Sequence, residues 1–514
     1  MNLKRLLLPV ISLLPAMSFA ATYYVTPEGA GLKDGSSWEN AMGIEEFCAQ
    51  AANNVNGDVY NLAGGVYKPA STVVFTVATG FTMNGNADGE RTIFSGDKNG
   101  NNNPDDGDAN RLIRIQTNTV NGDSKNAVII KNVDFTCVYT NTDKDTDTMG
   151  ALMIDNSGDV VVESCNFYGN WAQGSQGGPA VHSYRSTVLF RNCKIRNNSA
   201  NYRGGAIRLR SNTNNKGYTT FESCVISGNT NYHDLGGAVF MAHGQKLNVV
   251  NSTVYGNKAA GRGAAFFFNG ADGTYIRELN VIGSTIANNH ITGASDGAQI
   301  TSTQSANINI VNSIVVNGNE KTADFSFEGA AESDKFKFVS GGWNCVGVVA
   351  DAVAEPSKEI SWQSTDKLGE EYSFKAVFGE NTLDSDGVVK PVYFIEGATG
   401  AQTTAAISEW GIDAKVDYLV DQLGNERVAG RVNGAYADPN LSSGIDGISV
   451  ESSVKLVALG AGRYLLDGAT EPVEAYNITG RLVATSVDDT ISLESMAPGL
   501  YIIKSGKKVF KVIK

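Results

Sequence analysis

Seven short triads recur between residues 131 and 314: Lys131-Asn132-Val133, Glu163-Ser164-Cys165, Arg191-Asn192-Cys193, Glu222-Ser223-Cys224, Asn251-Ser252-Thr253, Gly283-Ser284-Thr285 and Asn312-Ser313-Ile314. Their third residues lie 32, 28, 31, 29, 32 and 29 positions apart, and the middle residue is always Asn or Ser. In six of the seven an Asn follows four or five places after the third residue: Asn170, Asn198, Asn229, Asn257, Asn289 and Asn319. A second element keeps the same phase. Gly150-Ala151, Gly178-Pro179, Gly205-Ala206, Gly237-Ala238, Gly263-Ala264 and Gly297-Ala298 each open a short β-like run. No unit of this size can bury an apolar face alone, so the copies must stack. Runs such as Thr187–Phe190 and Leu247–Val250 are short and rich in β-branched or bulky residues, which favours strands over helices. Each strand then lies parallel to its copy in the next coil, about 4.8 Å away. The chain is therefore an all-β solenoid over its middle.

Stacking fixes what the repeated side chains do. The Asn column can bond along the axis and satisfy turn groups that would otherwise be orphaned. Cys165, Cys193 and Cys224 should stack inside the core as small apolar thiols, because parallel side chains give poor disulfide geometry. A catalytic cysteine is disfavoured, since no His or Asn is placed to activate one.

The flanks carry different signals. Residues 1–20, with Lys4 and Arg5, an apolar run and Ser18-Phe19-Ala20, have the pattern of a secretory signal peptide. Fifty-seven glycines against eleven prolines fit many short strands joined by tight turns. A net charge of −13 argues against a nucleic-acid partner. Four histidines without a His-x-x-x-His spacing argue against zinc. The expected organisation is a β-helix over 21–440 (cap and first coils 21–130, regular repeats 131–320, last coils or cap 321–440), a Ser/Gly linker at 441–449, and a separate domain at 450–514. Segment 40–53 should be a helix capping the open first coil. The last domain reads as a small antiparallel β-sandwich with turns at Gly480 and Gly499.

The repeats resemble right-handed parallel β-helix proteins of the pectate-lyase-like superfamily. Gly204-Gly205-Ala206-Ile207 and Gly228-Asn229 look like polymorphic outer-membrane protein repeats. Thr22–Val25 through Asp34-Gly35-Ser36-Ser37-Trp38, with Asp58–Leu62 and Gly65-Val66-Tyr67, is similar to the start of such exported helices. The run Asp421-Gln422-Leu423-Gly424-Asn425-Glu426-Arg427, with Gly434-Ala435-Tyr436, resembles their C-terminal part, with Leu423 departing from the usual Asp-Gln-Arg-Gly. This likeness covers roughly residues 21 to 440. Ala475–Arg481, Ala497–Lys504 and the basic end at Lys507, Lys508, Lys511 and Lys514 resemble the sorting domain of the type IX secretion system. That resemblance implies a partner in the secretion machinery and a final place outside the cell or anchored at the outer-membrane surface; a monomer is expected.

Three constellations are candidates to carry chemistry. Asp97, Asn99, Asn101, Asp105, Asp106 and Asp108 alternate oxygen ligands that could hold a structural calcium, or form a solvated turn. Counted from the paired glycines, an outward apolar stripe of Met153, Val181, Phe240, Phe266 and Ile300, beside Ser183, Ala242 and Phe268, should flank outward Arg208 and Arg210 and bind a glycan or a protein. His182 should point inward. A lyase would need charge stabilisation and a base, for which Arg203, Arg208, Arg210, Asp143, Asp145 and Asp147 are the candidates. The favoured expectation is a non-catalytic, adhesin-like binding rod, and the alternative is a calcium-dependent polysaccharide lyase.

Overall fold

The structure, a computed structural model, describes residues 19–514 apart from 76–78, 117–126, 143–149, 212–216, 270–276, 294–296, 304–305, 319–321, 329–335, 351–358, 413–418, 428–432, 438–454, 461, 468, 470 and 507. The chain divides into two compact units, Met1–Pro439 and Asn440–Lys514.

The first unit is a parallel β-helix. Successive coils contribute strands to a 12-stranded, an 11-stranded and a 10-stranded sheet, with a short 6-stranded sheet at one corner. Every strand pair of the coils is parallel, as in Val160–Glu163 on Thr187–Arg191 and Leu152–Asp155 on Val181–Tyr184. Crossovers between parallel strands take the right-handed sense. Inward side chains stack coil upon coil. Phe94, Phe135 and Phe167 form one such stack, with centroids 6.1 and 4.7 Å apart, and Phe190 and Phe221 continue the aromatic core. At the open end of the first coil a helix runs over Ile44–Ala52, inside the segment expected to cap it. Its Phe47 is buried against Tyr60, Phe75 and Phe94, which closes the core.

The turn between two sheets explains the triads and corrects their register. Asn132, Ser164, Asn192, Ser223, Asn251, Gly283 and Asn312 all have φ between 46° and 58°. Left-handed backbone favours Gly and Asn. The strand pairing Glu222↔Val250 and Ile282↔Val311 makes Asn251, Gly283 and Asn312 the equivalents of Ser223. The last three triads therefore start one residue later in the coil than their sequence alignment suggests. Ser252, Ser284 and Ser313 follow Cys165, Cys193 and Cys224 in one inward column. Thr253, Thr285 and Ile314 stand one place beyond it.

With that register the Asn column sits five places on in each coil. The side chain of Asn170 donates to Asn198 Oδ1 at 2.8 Å, Asn198 to Asn229 at 3.0 Å, Asn229 to Asn257 at 2.9 Å and Asn257 to Asn289 at 2.8 Å. The same five place Gly318 next, so Gln299, with its longer side chain, accepts from Asn289 at 2.8 Å and donates to Asp324 at 2.6 Å. Asn319 lies outside the described residues. Burial pushes the Asp324 carboxyl up to about 8, against the opposing pull of the N–H donors of Gln299, Val348 and Gly347. The cysteines among the described residues are free thiols, and Cys165, Cys193 and Cys224 are fully buried. Each of these three donates to a main-chain carbonyl, as Cys193 does to Val162 at 3.3 Å. The serines below them do the same, Ser252 to Val250 at 2.7 Å.

Coils continue to Glu359–Ser361 and Lys367–Leu368. The chain then folds back along the side of the solenoid. Ala406 and Ile407 of the helix Gly400–Glu409, with Ile412, cover the outward residues Val250, Ile282 and Val311. Val377, Phe378, Val389 and Ile395 cover Ala287, Ile314 and Val316. Arg427, nearly fully buried, closes the contact. Its Nη2 donates to Asn251 Oδ1, the Gly283 carbonyl and the Gly434 carbonyl at 3.0, 3.0 and 2.9 Å, and its Nε to the Val420 carbonyl at 3.0 Å. Thr253 donates to Gln422, and Thr285 accepts from the Ala435 N–H. The Asp421–Arg427 run is thus a clasp on the left-handed turns of two successive coils, at Asn251 and Gly283.

The second unit has a three-stranded sheet (Lys455–Gly460, Arg463–Asp467, Thr490–Ser492) and a four-stranded one (Leu482–Ser486, Val473–Asn477, Leu500–Ser505, Lys508–Ile513), all antiparallel. Leu466, Val473, Ala475, Leu493 and Ile503 form its core. The expected turn at Gly480 has φ +76°, and Asn477 Oδ1 accepts the N–H groups of Thr479 and Arg481.

Candidate functional site

The 10-stranded sheet shows which side chains its coils turn outward. Its register aligns Leu152, Val181, Ile207, Val239, Phe266 and Ile300 as one inward column. Ile154, Ser183, Leu209, Met241, Phe268 and Ser302 form the second. The outward columns are Met153, His182, Arg208, Phe240, Phe267 and Thr301, then Asp155, Tyr184, Arg210, Ala242, Asn269 and Thr303. Val181, Ser183, Phe266, Phe268 and Ile300 therefore leave the expected stripe and belong to the core, while His182 moves from the inside to the outward column. The cause is the spacing after the glycine. The first inward residue comes two places after Gly150, Gly205 and Gly237, but three after Gly178, Gly263 and Gly297, and one extra residue flips every side chain.

Arg208, Arg210, Phe240 and Ala242 do share the outward face. Together with Arg203 they line a cleft of about 240 Å³, which adjoins a second of about 390 Å³ lined by Arg203, Asp234, Leu235, Phe240, Arg262 and Phe267. Arg203, Phe240 and Asn269 are common to both. Phe240 and Phe267 stack with centroids 5.8 Å apart and form the apolar floor. Both are largely covered, at 4 % and 2 % exposure, so the expected open aromatic stripe is a lined floor instead. The Arg262 guanidinium lies 5.7 Å from the Phe267 ring, and the Arg208 guanidinium donates to Gln176. Arg210 and Arg185 approach the Tyr184 ring at 5.7 and 4.6 Å. Burial pushes the Asp234 carboxyl above its ordinary range, while Arg203 and Arg262 pull it back down.

Arg262, Asp234, Leu235 and Phe267 were not singled out from the sequence. A signal existed: Arg203, Leu235 and Arg262 each directly precede a turn glycine, Gly204, Gly236 and Gly263, all with positive φ. Those turns stack, so their preceding residues form one rim. Asp143, Asp145 and Asp147 lie outside the described residues.

The Asp97–Asp108 loop is closed by its own donors. Asp97 accepts from the N–H groups of Gly100, Asn101 and Asn102 and from Lys68, whose ammonium is 3.1 Å away. Asp108 accepts from the N–H groups of Lys98 and Asp105, and the Asp105 carboxylate from the amides of Asn99 and Asn101. Among the described residues no three His, Cys, Asp or Glu side chains converge as they would on a metal ion.

No family model matches the chain, and no curated protein matches it. Solved structures do. A surface adhesin of Streptococcus pneumoniae, PfbA, is 10 % identical over 63 % of this chain and 88 % of its own, with a TM-score of 0.32. A pectate lyase, Pel9A, is 14 % identical over 82 % of this chain and 97 % of its own, at 0.29. A rhamnogalacturonan lyase is 11 % identical over 76 % and 99 %, at 0.30.

Proposed function

We propose that this chain is an exported β-helical protein that binds an anionic glycan in the cleft between Arg203 and Arg262. One observation carries the reading. On a chain of net charge −13, the two adjoining pockets gather Arg203, Arg208, Arg210 and Arg262 against, among the described residues, a single lining carboxylate, Asp234, above an apolar floor. Guanidinium groups match carboxylate and sulfate geometry, and the Phe240–Phe267 floor suits the C–H faces of a sugar. Retention on immobilised polygalacturonate, alginate and hyaluronan is the test. Binding to at least one is expected, with affinity lowered ~10-fold or more in Arg203→Ala and Arg210→Ala, the usual cost of a charge-assisted contact. Unchanged retention in both variants would remove the cleft from the function.

A lyase is the second reading, favoured by the raised carboxyl of Asp234 beside two arginines, the setting in which a carboxyl serves as acid or base. It would show as a rise in the ultraviolet absorbance of unsaturated uronates, with or without added calcium, that disappears in Arg208→Ala and Arg210→Ala. A flat trace on polymers that bind leaves the non-catalytic rod.

We also read residues 450–514 as the address for type IX export, on the sequence likeness and the compact antiparallel unit. A chain ending at residue 449 should accumulate in the periplasm of a host carrying that system. Its arrival at the surface would refute the assignment.

A further inference from the structure

A separate pocket lies on the first coils of the solenoid, on a different sheet. The outward column of the 12-stranded sheet runs Tyr24, Asn61, Asn84, Lys131, Glu163, Arg191, Glu222. From Lys131 onward it is an ion-pair ladder, with Lys131–Glu163 at 3.2 Å and Arg191–Glu222 at 3.3 Å. The first three positions carry no charge. There a pocket of about 530 Å³ opens, and none of its lining residues is charged.

Its parts have distinct chemistries. Trp38, brought in by the loop after the first strand, is 46 % exposed, which is high for the largest apolar side chain. The Tyr24 ring holds it from beneath, centroids 4.8 Å apart and tilted by 60°. Beside them Asn84 donates to Asn61 Oδ1 at 3.1 Å. That bond fixes both amides and leaves the Asn61 N–H groups and the Asn84 carbonyl without another hydrogen bond among the described residues. The floor is bare backbone, because a Cβ at Gly64 or Gly85 would come within 2.3 Å of the carbonyl of Glu90 or Asn132.

We propose that this pocket binds a neutral saccharide, its C–H face on Trp38 and its hydroxyls on the Asn61–Asn84 pair. An exposed aromatic face beside an oriented donor and acceptor suits a ring that is apolar on one side and hydroxylated at its edge. The uncharged lining separates it from the arginine cleft, where four guanidinium groups gather. The two sites stand on different sheets, and neither needs the other.

The test is affinity electrophoresis of the full chain through gels containing laminarin, mannan or xyloglucan. Retardation by at least one is expected. Trp38→Ala and Asn84→Ala should each raise the Kd ~10-fold, the size expected for losing one ring platform or one oriented amide. Arg210→Ala should migrate like the parent, so failure of the anionic-glycan reading would leave this result standing. Asn84→Ala keeps the case testable if Trp38→Ala does not fold, as its thermal melt would show. No retardation by any of the three polymers, or retardation unchanged in both variants, overturns the proposal.

Discussion

Replacing Arg427 by alanine should lower the unfolding free energy by about 3–5 kcal/mol, measured by urea denaturation followed by circular dichroism. The side chain makes four hydrogen bonds in a site that excludes water, three of them to main-chain carbonyls. Its loss leaves buried acceptors unpaired at roughly 1–3 kcal/mol each, before any compensation by entering water. Arg427→Lys should recover only part, because one ammonium cannot serve both the Nη2 partners Asn251, Gly283 and Gly434 and the Val420 carbonyl that Nε reaches. Hydrogen exchange should show the change first in residues 419–427 and 433–437, with the coils following. A loss below about 1 kcal/mol would mean that the returning chain is held by its apolar contacts alone.

Asn229→Leu should cost about as much, ~3–5 kcal/mol, although it keeps the branching and the number of side-chain heavy atoms. Asn229 is fully buried. Its amide donates to Asn257 and to the Ile195 carbonyl at 2.9 and 3.0 Å, and its Oδ1 accepts from the Asn198 side chain and main chain, each at 3.0 Å. Leucine satisfies none of these. Cys224→Ser, five residues earlier in the same coil, is the control, since Ser252 in the next coil already donates to carbonyls from the same column. If both variants melt together with the parent, the ladder is ornament rather than support.

Both sites of high expected cost were partly legible. The period of the triads and the Asn column announced the coils, because stacked copies repeat the same solution to the same turn. What misled was the assumption of constant offsets. Ser252 was aligned with Ser223 rather than with Cys224, and Phe266 was placed outward, because single-residue differences between coils are absorbed in turns whose geometry local sequence does not display. The clasp was less accessible still: Arg427 meets Gly283 and Asn251 across 144 and 176 residues. Yet one sign was on the page. The outward column that is Glu163, Arg191 and Glu222 in the earlier coils becomes Val250, Ile282 and Val311. A solenoid face that turns apolar must be covered, and the chain supplies its own cover. Of the proposed binding face, Arg203, Arg208, Arg210 and Phe240 were found, Arg262 was not, and the second floor ring was missed by one position, Phe267 for Phe266 and Phe268.

The Asn column also has a sense. Every side-chain link from Asn170 to Asn289 donates toward the later coil, Asn289 then donates to Gln299 and Gln299 to Asp324, which ends the run as a group with acceptors to offer. Turning one amide over would set donor against donor on one side and acceptor against acceptor on the other, so the column keeps a single direction or breaks. Each interior coil presents the same donor to its successor and the same acceptor to its predecessor. A whole coil can then be duplicated or deleted without changing what either neighbour meets. Length, in this architecture, is a quantity that inheritance can adjust in units of one turn, while the ends that start and stop the column stay as they are.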